Sequence, residues 1–172
     1  MIINDLCSSI TDTKNNKKKM IFLNTSDILE GKILNFSYSA TSELPGQAKK
    51  LIKNGDILFS EIRPKNCRYA IVNVNNPEDY IVSTKLMVIR CNKKVNNKYL
   101  YYFLTSPKTI NHLQEIAESR SGTFPQITFE EIKSLQISLP GLNEQQHIVD
   151  IMRYSLWIKY YLKKNAYWKQ EN

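Results

Sequence analysis

Apolar and polar positions change their period three times between Ile127 and the carboxy terminus. Ile127-Thr128-Phe129-Glu130-Glu131-Ile132 has the spelling of a capped short helix. Thr128 is placed to accept from the amide three residues on, and Glu131 to reach back to the Thr128 amide. Ile127 and Ile132 then form a hydrophobic staple. Leu135-Gln136-Ile137-Ser138-Leu139 alternates strictly, which predicts a half-buried strand closed by Pro140-Gly141. Asn143-Glu144-Gln145-Gln146 reads as the cap of a long helix running from about Glu144 to Trp168. Along it Ile148, Ile151, Ser155, Ile158 and Leu162 keep the 3-4 spacing of a short coiled-coil seam. Tyr154, Trp157, Tyr161 and Trp168 add aromatic area on the same helix, more than one helix edge buries unaided.

Upstream, the periods are shorter. Met20–Leu23, Lys32–Tyr38, Ile57–Ile62, Tyr69–Val74, Tyr80–Val82 and Leu86–Arg90 read as strands. Residues 39–50 hold Ser, Thr, Pro and Gly and read as a loop. The Asn54-Gly55-Asp56 corner predicts a tight turn with Gly55 at positive φ. A helix is expected from Asn97 through Leu104, and Ser106-Pro107 restarts it, serine as cap and proline at the first helical position. Ile110, Leu113 and Ile116-Ala117 keep helical spacing after the restart. Strands and helices do not alternate regularly, so the expected class is α+β: a globular domain over residues 1–141 and one long helix over 142–172. No internal repeat is present.

Charge adds a partner class. The formal net charge is +8, which favours a polyanion such as nucleic acid, although a solvated surface in a lysine-rich chain has the same balance. Arg63, Lys65 and Arg68 crowd the segment after the Ile57–Ile62 strand, beside Pro64 and Asn66. Arginine and asparagine make bidentate pairs with guanine and adenine in the major groove. Thr84 and Lys85, between two strands, and Arg120, Ser121 and Thr123, around Gly122, are further candidates for a DNA face. Some of these would hold only phosphate. The lysine-rich stretch Thr11–Lys19 reads as a loop with a phosphate contact or simple solvation as equal alternatives.

The residues speak against catalysis. Asp56 and Glu61 are five apart on one presumed strand and point to opposite faces, a poor start for a metal-dependent nuclease. Five dispersed glycines offer no cofactor loop. Cys67 sits among cations without a histidine nearby in sequence. Three scattered cysteines and an amino terminus without signal-like patterning lead to the expectation of a reduced, cytoplasmic chain. His112 and His147 lie too far apart to suggest zinc, and no apolar run is long enough to cross a membrane.

The order of glycine loop, short helix, short strand, Pro turn, Glu-Gln and long helix resembles the end of a target-recognition domain in the specificity subunit of type I restriction–modification enzymes. Gly55-Asp56-Ile57-Leu58-Phe59-Ser60 is similar to the family's "GDIL" strand, Ile81 to Arg90 to its central strand pair, and Tyr99 to Leu104 with Thr105-Ser106-Pro107 to its following helix. The match spans nearly the whole chain. It implies a non-catalytic subunit that binds double-stranded DNA and docks an adenine methyltransferase, the partner that holds S-adenosylmethionine. A restriction translocase is a further implied partner. A full subunit of that family resembles two such units in tandem, so this chain looks like a half-subunit. Pairing through the carboxy-terminal helix, by Ile148, Ile151, Ile158, Leu162, Tyr154, Trp157 and Tyr161, would then make a homodimer on a two-part site. Two other readings stand beside it: a module that docks the methyltransferase without reading DNA, and a stand-alone enzyme on nucleic acid.

Overall fold

The computed structural model describes residues 1–11, 13, 16–120 and 125–168, with backbone alone for 159, 160 and 162–168. Its organising feature is a pair of strands buried on both faces. β7 (Ile57–Ser60) and β10 (Leu86–Cys91) pair antiparallel at the centre of a four-stranded sheet. β1 (Cys7–Ser9) lies outside β10 and β8 (Tyr69–Ile71) outside β7. Ile57, Phe59, Met87 and Ile89 point to one face and join a core with the helices. Leu58, Leu86 and Val88 point to the other and join a second core. This is why the segments read as nearly continuous apolar runs instead of alternating ones.

The second core is closed by another four-stranded sheet, in the order β5, β2, β9, β6. β2 (Lys19–Leu23) runs parallel to β9 (Tyr80–Ser83) and antiparallel to β5 (Tyr38–Ala40), while β6 (Ala48–Leu51) flanks β9. A short hairpin of β3 (Ile28–Leu29) and β4 (Lys32–Ile33) covers one side. The layers are therefore helices, sheet, sheet. An α+β class with mixed strands and helices is what the sequence pattern anticipated.

Several elements differ from expectation. β9 and β10 are joined by the two-residue turn Thr84-Lys85 yet pair in different sheets, so they are not a hairpin. Both are buried on two faces, and each finds its partners across the core. The expected strand Lys32–Tyr38 is broken: Leu34 N–H donates to Asp27 O and Asn35 Nδ2 to Phe22 O, which turns the chain between β4 and β5. The expected loop 39–50 contains β6. Leu135–Leu139 keeps its alternate burial, but its backbone pairing is with the amino terminus, through an Ile2–Gln136 bridge and an Ile137 N–H bond to Met1 O (2.9 Å).

The helices follow the local signals closely. α1 (Asn97–Leu104) is capped by Asn96, and α2 (Pro107–Ser119) by Ser106 with Pro107 at its first position. α3 (Phe129–Ser134) carries the expected capping box of Thr128 and Glu131, and both Ile127 and Ile132 are fully buried. Burial alone would raise the Glu131 pKa, but bonds from the Thr128 amide and hydroxyl, with Arg120 beside it, outweigh that and hold the carboxyl below its ordinary range. Gly55 takes φ +91°, as the turn requires, and Asp56, 2% exposed, accepts two bonds of 2.7 Å from the Arg90 guanidinium.

α4 (Leu142–Trp168) starts one residue before its expected cap. The expected capping glutamine, Gln146, instead accepts from Asn96 Nδ2, and Gln145 beside it is fully buried and bonds away from its own helix. Val149 is buried and Ile148 half-buried, whereas Ile151, Tyr154 and Trp157 stand more than half exposed. Ile158 is half-buried, and the Leu162 and Trp168 side chains lie outside the described residues. Among the described residues, no helix is long and apolar enough to cross a membrane.

Candidate nucleic-acid interface

Strand register decides which loops meet. Leu23 lies opposite Val82, Ser60 opposite Leu86, Ala48 opposite Ser83, and Phe59 opposite Tyr69. The ends of β2, β7 and β9 and the beginnings of β6, β8 and β10 therefore share one end of the two sheets. Everything that connects them gathers there: Thr25–Asp27, Glu61–Arg68, Thr84-Lys85 and the start of β6.

A fifth segment comes from far along the chain. Residues 125–127 return antiparallel to 61–63, with an Ile62–Gln126 bridge, Arg63 N–H donating to Pro125 O (3.0 Å) and Ile127 N–H to Glu61 O (2.8 Å). Glu61 N–H donates to Lys85 O (3.0 Å), and Lys85 Nζ lies 3.7 Å from the Glu61 carboxylate and 3.5 Å from Gln126 Oε1. The loop after β7, the turn between β9 and β10 and residues 125–127 are thus one surface.

Within it the candidates separate by what holds them. Arg63 and Lys65 are exposed, and neither side chain has an ion pair or hydrogen bond among the described residues. Pro64 between them is buried, and the Lys65 amide donates to Gln114 Oε1 (3.1 Å), so rigid backbone carries both cations. Arg63 and Cys67 bracket a 3-10 turn over Pro64–Asn66 with φ of +44° and +54°, a left-handed conformation that costs an L-residue about 1 kcal/mol or more. Asn66 is exposed beside a polar recess of about 170 Å³ lined by Thr25, Ser26, Ser60, Ile62 and Arg68. Thr84 and Lys85 are exposed on their turn.

Arg68 and Arg120 are committed elsewhere. Arg68 Nη1 donates to Ser26 O and Ile28 O, both at 3.1 Å, and clamps the turn that ends β2. Arg120 pairs with Glu131 at the α3 capping box. Ser121 and Thr123 lie outside the described residues. Of the lysine stretch, Lys17, Lys18 and Lys19 are on the other end of the sheet, where Lys17 pairs with Asp79, and they do not join this face; Asp12, Lys14 and Asn15 lie outside the described residues.

The face also holds residues that the sequence pattern hid. Thr84 N–H donates to Gln47 O (2.9 Å), and Ser83 Oγ to Gln47 Oε1 (3.4 Å), which brings Gln47 and the exposed Lys49 alongside. Lys50 donates to Thr84 O (2.9 Å) and Leu86 O (2.8 Å); burial lowers its pKa, Glu61 acts against that and Lys85 with it. Lys50 therefore holds the turn instead of presenting a charge. A hint was available: Ala48-Lys49-Lys50-Leu51 is apolar at both ends, but four residues are too few for periodicity to register.

The fold that carries this face is shared with solved proteins, and the sequence with a known family. The family model for the type I restriction modification DNA specificity domain matches residues 3–156. The chain is 50% identical over 134 residues to the Type I restriction enzyme HindI specificity subunit of Haemophilus influenzae, covering 77% of this chain and 29% of that protein. It is 34% identical over 107 residues to a putative type I restriction enzyme MjaX specificity subunit of Methanocaldococcus jannaschii, covering 61% of this chain and 25% of that one. Two solved chains share the fold at 24% identity, each over 95% of this chain and 43% of theirs. One is the HsdS subunit from Thermoanaerobacter tengcongensis, at TM-score 0.82. The other comes from work on complex assembly and conformational transition of the type I R-M system, at TM-score 0.81. The chain thus spans less than half the length of the proteins it matches. With the family model matching residues 3–156, it belongs to the family of type I restriction–modification DNA specificity domains.

Proposed function

We propose that this chain is a non-catalytic DNA-recognition unit that reads one half of a two-part site on double-stranded DNA. The observation that carries this is the convergence of residues 61–68, 84–85 and 125–127 into one rigid face. There Arg63 and Lys65 project without partners among the described residues, beside Asn66, Thr84 and Lys85. Cations already paired inside a protein add little to DNA affinity; these two are available to phosphate or guanine. Gln47 and Lys49 extend the same face.

In this reading the chain works in the cytoplasm and docks an adenine methyltransferase subunit, which carries S-adenosylmethionine, and through it a restriction translocase. The exposed row on α4 supports a second contact. Tyr154, Trp157 and Tyr161 stack successively at 6.1 and 5.4 Å, and Trp157 is 57% exposed. Pairing of two copies through this helix places two identical reading faces on one DNA, so the target would be palindromic.

The test is a titration of labelled duplexes with the purified complex of chain and methyltransferase across a salt series. Binding that weakens steeply with salt, and favours target over scrambled DNA, is expected. Complex formation without salt-dependent DNA affinity would replace this reading with that of a docking module.

A further inference from the structure

α4 is joined to the rest of the chain by a small polar latch at the end of the sheets opposite the reading face. Asn96, which follows β10, donates its amide to Gln145 Oε1 (2.7 Å) and its side-chain Nδ2 to Gln146 Oε1 (2.8 Å). Gln145 Nε2 donates in turn to Pro140 O (2.8 Å) and Lys94 O (3.4 Å). Asn96 Oδ1 caps α1 at the same time, accepting from the Lys98 and Tyr99 amides. One buried side chain therefore ties together the end of β10, the start of α1, the segment before α4 and α4 itself.

Beyond this point the packing thins. Val149 is the last fully buried residue of α4 among those described. Further along, Met152 and Leu156 face Tyr101, Tyr102, Thr105 and Pro107 across a groove of about 470 Å³. A helix held at its first turns and loosely opposed after them takes its direction from the hold. Gln145 to Trp168 is about 35 Å at the usual helical rise. A tilt of about 6° at the latch then displaces the far end by about 3.4 Å, one base-pair step.

We propose that Gln145, supported by Asn96 and Gln146, is a positioning residue that sets the angle between the reading face and α4, and so selects the length of non-specific spacer between the two half-sites. This rests on the reading of the chain as a DNA-recognition unit paired through α4. The latch touches no DNA. It acts through the separation of two faces, and a change there alters spacer choice while leaving the bases of each half-site as they were.

The experiment maps methylated adenines in a host that expresses the full chain with its methyltransferase, for the wild type, Gln145→Leu and the milder Gln146→Ala. The wild type is expected to modify one spacer length. Gln145→Leu loses all three side-chain bonds, two donated and one accepted, so sites one base pair longer or shorter should gain about tenfold relative to the wild-type spacer, with half-site bases unchanged. Gln146→Ala, which loses one exposed bond to Asn96 and one within α4 to Asp150, should show the same change to a smaller degree. Loss of methylation at all spacers in equal proportion, or an unaltered spacer in both variants, overturns the proposal. A DNA-independent measurement separates its failure from that of the reading itself. The distance distribution between fluorophores at Lys49 and Arg153, inserted as non-natural residues, should broaden in Gln145→Leu. An unchanged distribution overturns the latch, whereas a wild type that methylates nothing overturns the DNA reading.

Discussion

Arg63 allows the fold and the proposed function to be moved in opposite directions. It sits at φ +44°, with its amide fixed on Pro125 O and its side chain unpartnered among the described residues. Glycine adopts this conformation without penalty, while alanine carries the same strain as arginine. Relief of about 1–2 kcal/mol of left-handed strain is offset by the greater freedom of glycine in the unfolded chain, about 0.5–1 kcal/mol. Arg63→Gly should therefore be about 0.5–1 kcal/mol more stable than Arg63→Ala, by the same terms. Both remove the guanidinium, and both should weaken target DNA by about 1–3 kcal/mol, roughly fivefold to 150-fold. Urea unfolding supplies the first comparison and duplex titration at fixed salt the second. If arginine reads a base, discrimination at one position of the site relaxes as well; equal loss on all sequences makes it a phosphate contact. The reasoning is refuted if glycine is the less stable of the two, or if both variants bind target DNA as tightly as wild type.

Other expectations follow from single contacts. Gly55→Ala adds a Cβ only 2.7 Å from Asn97 Nδ2 at a φ of +91°, which displaces the Asn97 bond to Gly55 O. A loss of about 2 kcal/mol is expected, seen as a fall of about 4–8 °C in Tm; an unchanged Tm would count against the turn geometry. Trp157→Ala should leave the unfolding of the chain unchanged, because the ring is exposed, yet weaken self-association by about 2 kcal/mol or more in sedimentation equilibrium. The Glu131 carboxyl titrates below its ordinary value of 4.5 in the fold, so the capping box stabilises fully above that pH and its contribution fades as pH falls through the lower folded value. Unfolding of wild type and Glu131→Gln across that acid range should show their stability difference shrinking towards low pH, and a constant difference would refute it.

What could be read from the sequence was mostly what neighbours in sequence decide. The Thr128–Glu131 box, the Ser106-Pro107 restart and the Gly55 turn all depend on groups within a few residues, and each is where it was expected. The α+β class followed from irregular succession of strands and helices. Strand partners were not legible, because burial on both faces erases the alternation that would assign a side. β9 and β10 are adjacent in sequence and belong to different sheets for that reason. The site divides in the same way. The crowding of cations in 63–68 was visible, but the partners that hold Arg68 Nη1, Ser26 O and Ile28 O, lie some forty residues upstream. Gln146 shows the converse error: Asn143-Glu144-Gln145-Gln146 has the local spelling of a cap, and a distant side chain, that of Asn96, donates to its amide oxygen instead.

The face and the helix make one joint claim, that two identical reading ends act on one DNA. A map of methylated adenines in a host expressing this chain with its methyltransferase tests it most directly. A palindromic two-part motif with a non-specific spacer of fixed length is expected. Complex formation with no new methylation, or a two-part motif whose halves differ, would contradict it.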